Sequence, residues 1–260
     1  MTIPESFDLT GRTALVTGAG GETGIGFATA RLLVSLGANV VITSTSQRIE
    51  DRVAQLGADR AHGVVGDLTE VETATMLVTS ALDRFGGLHV VVHNAGMTSV
   101  TDPAQVRGAI ETIEYGHWRR AIARNLDTAY LVAHAAMPEL VAAGWGRFVM
   151  VTSVSGPVMA MRHEPVYAAA KAGMVGLVRA LAVDSAGSGV TVNAVAPGWI
   201  ATGSQTPFEA EQGQRTPIGR SAQPDEVAAA IAWLATPGAS YITGQCLVVD
   251  GGNSIAEERA

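Results

Sequence analysis

Seven short runs rich in β-branched residues punctuate the chain: RTALVT (12–17), NVVIT (39–43), GVV (63–65), LHVVVH (88–93), GRFVMVT (146–152), VTVNAVA (190–196) and CLVVD (246–250). They are continuously apolar rather than alternating, so a strand built from any of them presents hydrophobic side chains to both faces of its sheet. Such a sheet has to be covered twice. Alanine- and leucine-rich stretches fall between the runs, at 25–36, about 47–56, 70–85, 117–143, 166–186 and 224–235, and read as the covering helices. The last opens on Pro224, Asp225 and Glu226, whose fixed φ and negative charges suit a helix N-terminus. Strand–helix alternation along the whole length predicts a single α/β domain over 1–260, doubly wound around a seven-stranded, mainly parallel sheet. Two regions resist regular assignment, 97–116 and 198–222, and the second is expected to form a substrate lid.

Composition agrees with a twice-covered sheet, since 47% of residues are hydrophobic and 16% charged. The net charge of −7 comes without a basic cluster, which argues against nucleic acid or an anionic membrane as partner. Cys246 is the only cysteine, so neither an intrachain disulfide nor a cysteine-rich metal site can form. The opening MTIPESFDLTGR has neither the basic start nor the apolar stretch of a secretory signal, and no apolar run approaches the roughly 20 residues that span a bilayer. A soluble, cytoplasmic protein is the expectation.

TGAGGETGIG (17–26) follows the first strand directly and opens the first helix. Glycines there let the backbone turn tightly and approach a pyrophosphate, which then sits against free N–H groups at the helix N-terminus. The expected architecture is therefore Rossmann-type. Dinucleotide folds that prefer NAD place an acid near the end of the second strand, against the ribose 2′-hydroxyl. Here that place reads TSTSQR (43–48), with no acid before Glu50. Ser44, Thr45 and Ser46 offer hydrogen bonds to a 2′-phosphate and Arg48 offers charge, so NADP(H) is preferred over NAD(H).

YAAAK (167–171) sets a phenol and an ammonium four apart, one above the other on a helix face. An adjacent ammonium stabilises phenolate, so Lys171 is expected to lower the pKa of Tyr167 and make it a usable acid–base near neutrality. For the pentapeptide alone, an ordinary surface helix is the plainer reading.

The glycine turn, HNAG (93–96), Ser153 and YAAAK stand in an order that strongly resembles the short-chain dehydrogenase/reductase superfamily over essentially the whole chain. GDL (66–68), Asn125 in RNLDTAYL, NAVAPGWIAT (193–202) and YITGQCLVVDGG (241–252) extend the likeness, and the nearest resemblance is to bacterial 3-oxoacyl-[acyl-carrier-protein] reductases. The resemblance implies Tyr167 as proton donor or acceptor and Ser153 as hydrogen-bond donor to the substrate oxygen. It implies that Lys171 also binds the nicotinamide ribose, and that Asn125 supports a water chain leading to Lys171. It further implies cofactor contacts from Gly18, Gly24, Ile25, Gly26, Ser44, Thr45, Asp67, Leu68, Asn94, Ala95, Gly96, Tyr167, Lys171, Pro197, Ile200 and Thr202. Asp67 also fits a helix N-cap, Asn125 a purely structural hydrogen bond, and Met159 and Met161 either a substrate pocket or core filling.

The chain departs from the family in three places. Five residues (Ala19 to Thr23) separate Gly18 from Gly24, two more than the family pattern, and Ser153 precedes Tyr167 by one residue more. His93 replaces the first asparagine of the strand-four motif. The implied activity is reduction of a ketone to a secondary alcohol, with a 3-oxoacyl thioester as the first expectation and a free polyketide- or steroid-like ketone as the rival. A catalytically silent dinucleotide sensor is the third. Acyl-carrier protein is acidic, so Arg107, Arg119, Arg120 and Arg124 would form its docking patch if they surround the cleft; a solvated helix face is the plainer reading. No metal site is expected, because His117, His134 and His163 lack ligand spacing. A homo-oligomer, dimer or tetramer, is expected, with helices 117–143 and 166–186 at its main interface.

Overall fold

The computed structural model describes residues 2–96 and 107–257. Seven strands form one sheet: β1 Thr13–Val16, β2 Asn39–Ser44, β3 Ala61–Val65, β4 Val90–His93, β5 Gly146–Val151, β6 Val190–Pro197 and β7 Cys246–Val249. Their order is β3-β2-β1-β4-β5-β6-β7, and all six pairings are parallel. The helices are α1 Ile25–Ser35, α2 Arg48–Leu56, α3 Val71–Phe85, α4 Tyr115–Ile122, α5 Thr128–Ala142, α6 Pro165–Ser185, α7 Pro207–Gln214 and α8 Pro224–Leu234.

The continuous apolar runs are explained by two cores, one on each face of the sheet. Ala14, Val16, Val40, Ile42, Val90 and Val92 point to the face covered by α1, α2 and α8, where Leu33, Val53 and Ile231 meet them. Leu15, Val41 and Val91 point the other way, to Leu77 of α3, Val132 of α5 and Met174 and Val178 of α6. Each such side chain taken fully from water contributes on the order of 1.5–3 kcal/mol, so alternation would have forfeited half of that stabilisation. Strand order reverses between β1 and β4, and the crevice at the carboxyl ends there is where α/β sheets receive ligands.

Two elements differ from the reading of the sequence. The helix expected at 117–143 begins at Tyr115 and is interrupted by a π turn, Ala123–Asp127, so α4 and α5 meet across a locally widened backbone. Segment 198–222, which lacks helical patterning, nonetheless holds α7, started by a capping box. Thr206 Oγ1 accepts from Glu209 N at 3.3 Å and Glu209 Oε2 accepts from Thr206 N at 2.7 Å. Pro207 sits at N1, where its missing N–H costs nothing. Of the irregular region 97–116, residues 97–106 lie outside the described part, and the remainder contains a short 3₁₀ turn at Ile110–Thr112.

Candidate active site

The glycine turn is built by contacts that exclude side chains. Gly18 has φ +67°, and a Cβ there would lie 2.9 Å from Ala95 Cα; one on Gly26 would lie 2.6 Å from both Gly18 O and Asn94 Nδ2. Asn94 fastens this arrangement by donating from Nδ2 to the carbonyls of Thr17 (3.2 Å) and Gly18 (3.1 Å). α1 starts at Gly24 with no side-chain cap, so its first N–H groups are left to a ligand. The two extra residues fold toward α2, where Glu22 accepts from Gln55 at 3.2 Å and lies 3.5 Å from Arg52. A Cβ on Gly203 would sit 2.7 Å from Thr23 Oγ1, so the lengthened turn also abuts the segment leading to α7.

A cavity of about 190 Å³ opens at the switch point between β1 and β4. Gly18, Ser44, Thr45, Asp67, Leu68, Asn94, Ala95 and Gly96 line it, and so does Arg48. A Cβ on Gly20 would fall 2.5 Å from Ser44 Cβ and 2.6 Å from Arg48 Nε, which puts the hydroxyl and the guanidinium against the glycine turn. Asp67 does not cap α3, whose N-cap is Glu70; its Oδ1 instead accepts from Thr69 N (2.9 Å) and Thr69 Oγ1 (2.7 Å) in the turn before the helix. Gly24, Ile25, Gly26, Pro197, Ile200 and Thr202 stand outside the cavity lining. The last three lie at or beyond the end of β6, next to the segment that follows β5, Pro197 O accepting from Val154 N at 3.0 Å.

Four side chains converge farther along. Ser153 follows β5, with its hydroxyl bonded toward Tyr167 on the first turn of α6. Ser155 turns its backbone N–H to Ser153 Oγ (3.1 Å) and pairs with Met159, which leaves Ser153 as the hydroxyl facing the phenol. Lys171 is buried, donates to Val151 O at 3.1 Å, and holds its Nζ 5.7 Å from the centre of the Tyr167 ring. Asn125 lies in the π turn and donates from Nδ2 to Ala121 O at 3.0 Å. A Cβ on Gly96 would be 2.9 Å from Asn125 Oδ1 and 3.3 Å from Lys171 Nζ, so the end of the cavity and the polar cluster are one place.

Electrostatics correct one expectation. The Tyr167 hydroxyl is pushed up to about 12, because burial disfavours phenolate more than the Ser153 hydrogen bond favours it, and Glu164 and Glu209 add to the rise. Lys171 is itself pulled down to about 8 by burial and points to a backbone carbonyl, so it does not depress the phenol here.

His93 has a role the sequence did not disclose. Thr17 Oγ1 accepts from the N–H groups of Asn94 and Ala95, both at 3.0 Å, so its own proton goes to His93 Nδ1 at 3.3 Å. The imidazole proton therefore sits on Nε2 and faces Thr128 Oγ1 at 3.4 Å, while Thr128 donates to Arg124 O at 2.9 Å. Burial, assisted by Lys171, holds His93 neutral with a pKa near about 3. A chain of hydroxyl and imidazole thus ties the end of β1 to the π turn that carries Asn125.

The four arginines do not make a docking patch. Arg107 is paired with Glu164 (Nε–Oε1 2.5 Å), and Arg124 is buried and lines the cavity together with Thr128. Only Arg119 and Arg120 remain on an exposed helix face. Arg124 and Thr128 are cavity residues that sequence reasoning missed; their proximity to Asn125 in the chain was the available signal.

Comparison with known proteins agrees with this geometry. A family model described as enoyl-(acyl carrier protein) reductase matches residues 18–254. A cis-4-hydroxycyclohexanecarboxylate dehydrogenase of Sinomonas cyclohexanicum is 40% identical over 93% of this chain and 96% of its own. A 3-oxoacyl-[acyl-carrier-protein] reductase of Synechocystis is 39% identical over 94% and 97%. The crystal structure of a dehydrogenase/reductase from Sinorhizobium meliloti superposes with a TM-score of 0.87 at 28% identity, covering 97% of this chain and 98% of that one. With the sheet order, the glycine turn and the serine, tyrosine and lysine in place, the chain belongs to the short-chain dehydrogenase/reductase family and is an oxidoreductase of the alcohol–ketone kind.

Proposed function

We propose that the protein interconverts a compact, free alicyclic ketone and its secondary alcohol with NADP(H). The ketone–alcohol chemistry rests on the meeting of Ser153, Tyr167, Lys171 and Asn125 around Gly96 at the end of the cavity, and the alicyclic class rests on relatives named cis-4-hydroxycyclohexanecarboxylate dehydrogenase and cyclohexanol dehydrogenase. The uncapped start of α1 with Gly18, Gly24, Ile25 and Gly26 would hold the pyrophosphate, and Asp67 and Leu68 would flank the adenine. Ser44, Thr45 and Arg48 would meet the 2′-phosphate, a charge that no carboxylate on this stretch opposes. Asn94, Ala95 and Gly96 would line the path to the nicotinamide, with Lys171 and Tyr167 on its ribose and Pro197, Ile200 and Thr202 at its carboxamide. When bound, the dinucleotide supplies a hydride to the carbonyl carbon or accepts one from the alcohol.

The protein's own groups handle the oxygen. Ser153 donates a hydrogen bond to it and stabilises the charge that builds up there. Tyr167 delivers its phenolic proton to the same oxygen, and Lys171 with Asn125 restores that proton from solvent. Segment 198–222 closes over the substrate.

A 3-oxoacyl thioester on acyl-carrier protein is the second reading, favoured by relatives named for that reaction in Synechocystis and Vibrio cholerae. It is placed second because Arg107 is already paired and Arg124 is buried, which leaves Arg119 and Arg120 to attract an acidic carrier. A screen of NADPH and NADH oxidation over cyclic ketones and acetoacetyl thioesters tests both readings. The expected result is turnover of a cyclic ketone with NADPH favoured about tenfold, and loss of several orders of magnitude in Tyr167→Phe with NADPH binding retained. A Tyr167→Phe protein that turns over normally refutes the proposed chemistry, and a tenfold preference for NADH refutes the assignment of Ser44, Thr45 and Arg48.

A further inference from the structure

His93 is fully buried at the end of β4, and the chemistry proposed above gives it no part. Its backbone is fixed in the sheet, in register with Met150 of β5. Its ring lies between two hydroxyls on other elements, Thr17 Oγ1 at the end of β1, 3.3 Å from Nδ1, and Thr128 Oγ1 on α5, 3.4 Å from Nε2. An imidazole suits that gap because its acceptor and its donor stand on separate sides of a ring, whereas an amide carries both on one carbon.

The Thr128 end is where the helix leaves α geometry. The Thr128 amide donates to Ala123 O, five residues back, where a regular helix would give it Arg124 O. Thr128 serves that second carbonyl from its side chain, Oγ1 donating to Arg124 O at 2.9 Å. With its proton committed there, the hydroxyl meets His93 as an acceptor. The turn closed in this way carries Asn125, whose Nδ2 donates to Ala121 O at 3.0 Å. A Cβ on Gly96 would stand 2.9 Å from Asn125 Oδ1 and 3.3 Å from Lys171 Nζ, so the two polar atoms border one point. Regular α pitch through 123–127 would shift the register by one residue and turn Asn125 about 100° relative to α5. The aim of Asn125 therefore depends on the π turn being kept.

We infer that His93 is a positioning residue for the proton relay: its Nε2–H, donated to Thr128, stabilises the π turn and with it the aim of Asn125 at Lys171. The inference deepens the reading in which Lys171 and Asn125 return the proton to Tyr167, and rests on it. His93 does not line the cofactor cavity, so it acts through Thr128 and Asn125 and not by contact with cofactor.

The test uses the intact enzyme with NADPH and the ketone that the screen above shows to be turned over best. His93→Phe keeps a ring without its nitrogens, and Thr128→Val keeps the branched shape without its hydroxyl. Each should lower kcat about tenfold while the NADPH dissociation constant changes less than about threefold. Thr128→Ser restores the hydroxyl and should stay within about twofold of wild type. Asn125→Ala is itself slowed, and adding His93→Phe or Thr128→Val to it should change kcat by less than about twofold, since no side chain is left to aim. Loosened packing would instead lower the rate in both backgrounds. Should His93→Phe fail to fold, Thr128→Val in the two backgrounds decides the matter. Independent of any variant, nitrogen NMR of the wild-type imidazole should find His93 protonated on Nε2 and bare on Nδ1. Wild-type kcat in His93→Phe and Thr128→Val, a further tenfold loss in the Asn125→Ala background, or a proton on Nδ1 overturns the inference. Asn125→Ala at the wild-type rate overturns the relay reading and the inference with it, whereas a slowed Asn125→Ala beside an unaffected His93→Phe overturns the inference alone.

Discussion

A phenol held at about 12 is an acid that is always loaded at neutral pH and a base that is almost never available. Ketone reduction uses the loaded form, so its kcat/KM should vary by no more than about twofold between pH 6 and 9. Alcohol oxidation needs phenolate, whose fraction rises about tenfold per pH unit anywhere well below the pKa, so oxidation should climb steeply from pH 7. Lys171 is pulled down to about 8 by burial and does not depress the phenol, so its loss of charge above that pH should leave the climb in oxidation in place. Paired pH profiles in the two directions check this; a flat oxidation profile would remove Tyr167 from the base role. The sequence made the tyrosine, the lysine, Ser153 and Asn125 recognisable because four motifs stand in a fixed order. It could not show how deeply Tyr167 and Lys171 are buried, and burial reverses the shift that their spacing alone suggests. The role of His93 was illegible because it is defined by a proton count between two hydroxyls on other elements, Thr17 at the end of β1 and Thr128 on α5, and the place of Arg124 in the cavity is set by the side of a helix on which a π turn puts it.

The elements divide by how they earn their stability. All seven strands and the helices that cover them were legible, because burying a twice-covered sheet imposes continuous apolar runs and helical spacing. The π turn and α7 were not, since neither is specified by hydrophobic pattern. α7 is polar over much of its length and rests on its start signal, the reciprocal hydrogen bonds of Thr206 and Glu209 with Pro207 between them. Thr206→Ala removes one of those bonds and should cost the helix about 1 kcal/mol. Because the sheet cores do not depend on α7, that loss should appear locally rather than globally. Hydrogen exchange of the amides at 208–214 should quicken about fivefold, while the melting temperature moves by no more than a degree or two. A fall of many degrees would mean that α7 belongs to the cooperative core and is not a lid element.

Taken as one body, the molecule leaves more apolar helix surface uncovered than its own sheet requires. The run Pro165–Ser188 has the length and apolar composition to cross a bilayer, and less than half of it is buried. Yet this helix packs along β6 and carries both Tyr167 and Lys171, so its inner face is committed to the site. On its outer face Val183 is 79% exposed, and on α5 Tyr130 is 54% exposed and stacks on His134 at 5.6 Å. A second copy of the same chain can cover such a surface by a two-fold contact, with small residues on both helices allowing close approach. Light scattering should therefore give a particle of two or four 26.8 kDa subunits. Tyr130→Glu combined with Val183→Glu should shift that distribution toward smaller species, because each carboxylate would be desolvated in the contact without a partner. Activity should fall in step with dissociation, since α6 holds the tyrosine and lysine on the helix that the contact would brace. A wild-type particle of single-subunit mass at micromolar concentration would mean that these faces are simply solvated and that α6 is held in place by the sheet alone.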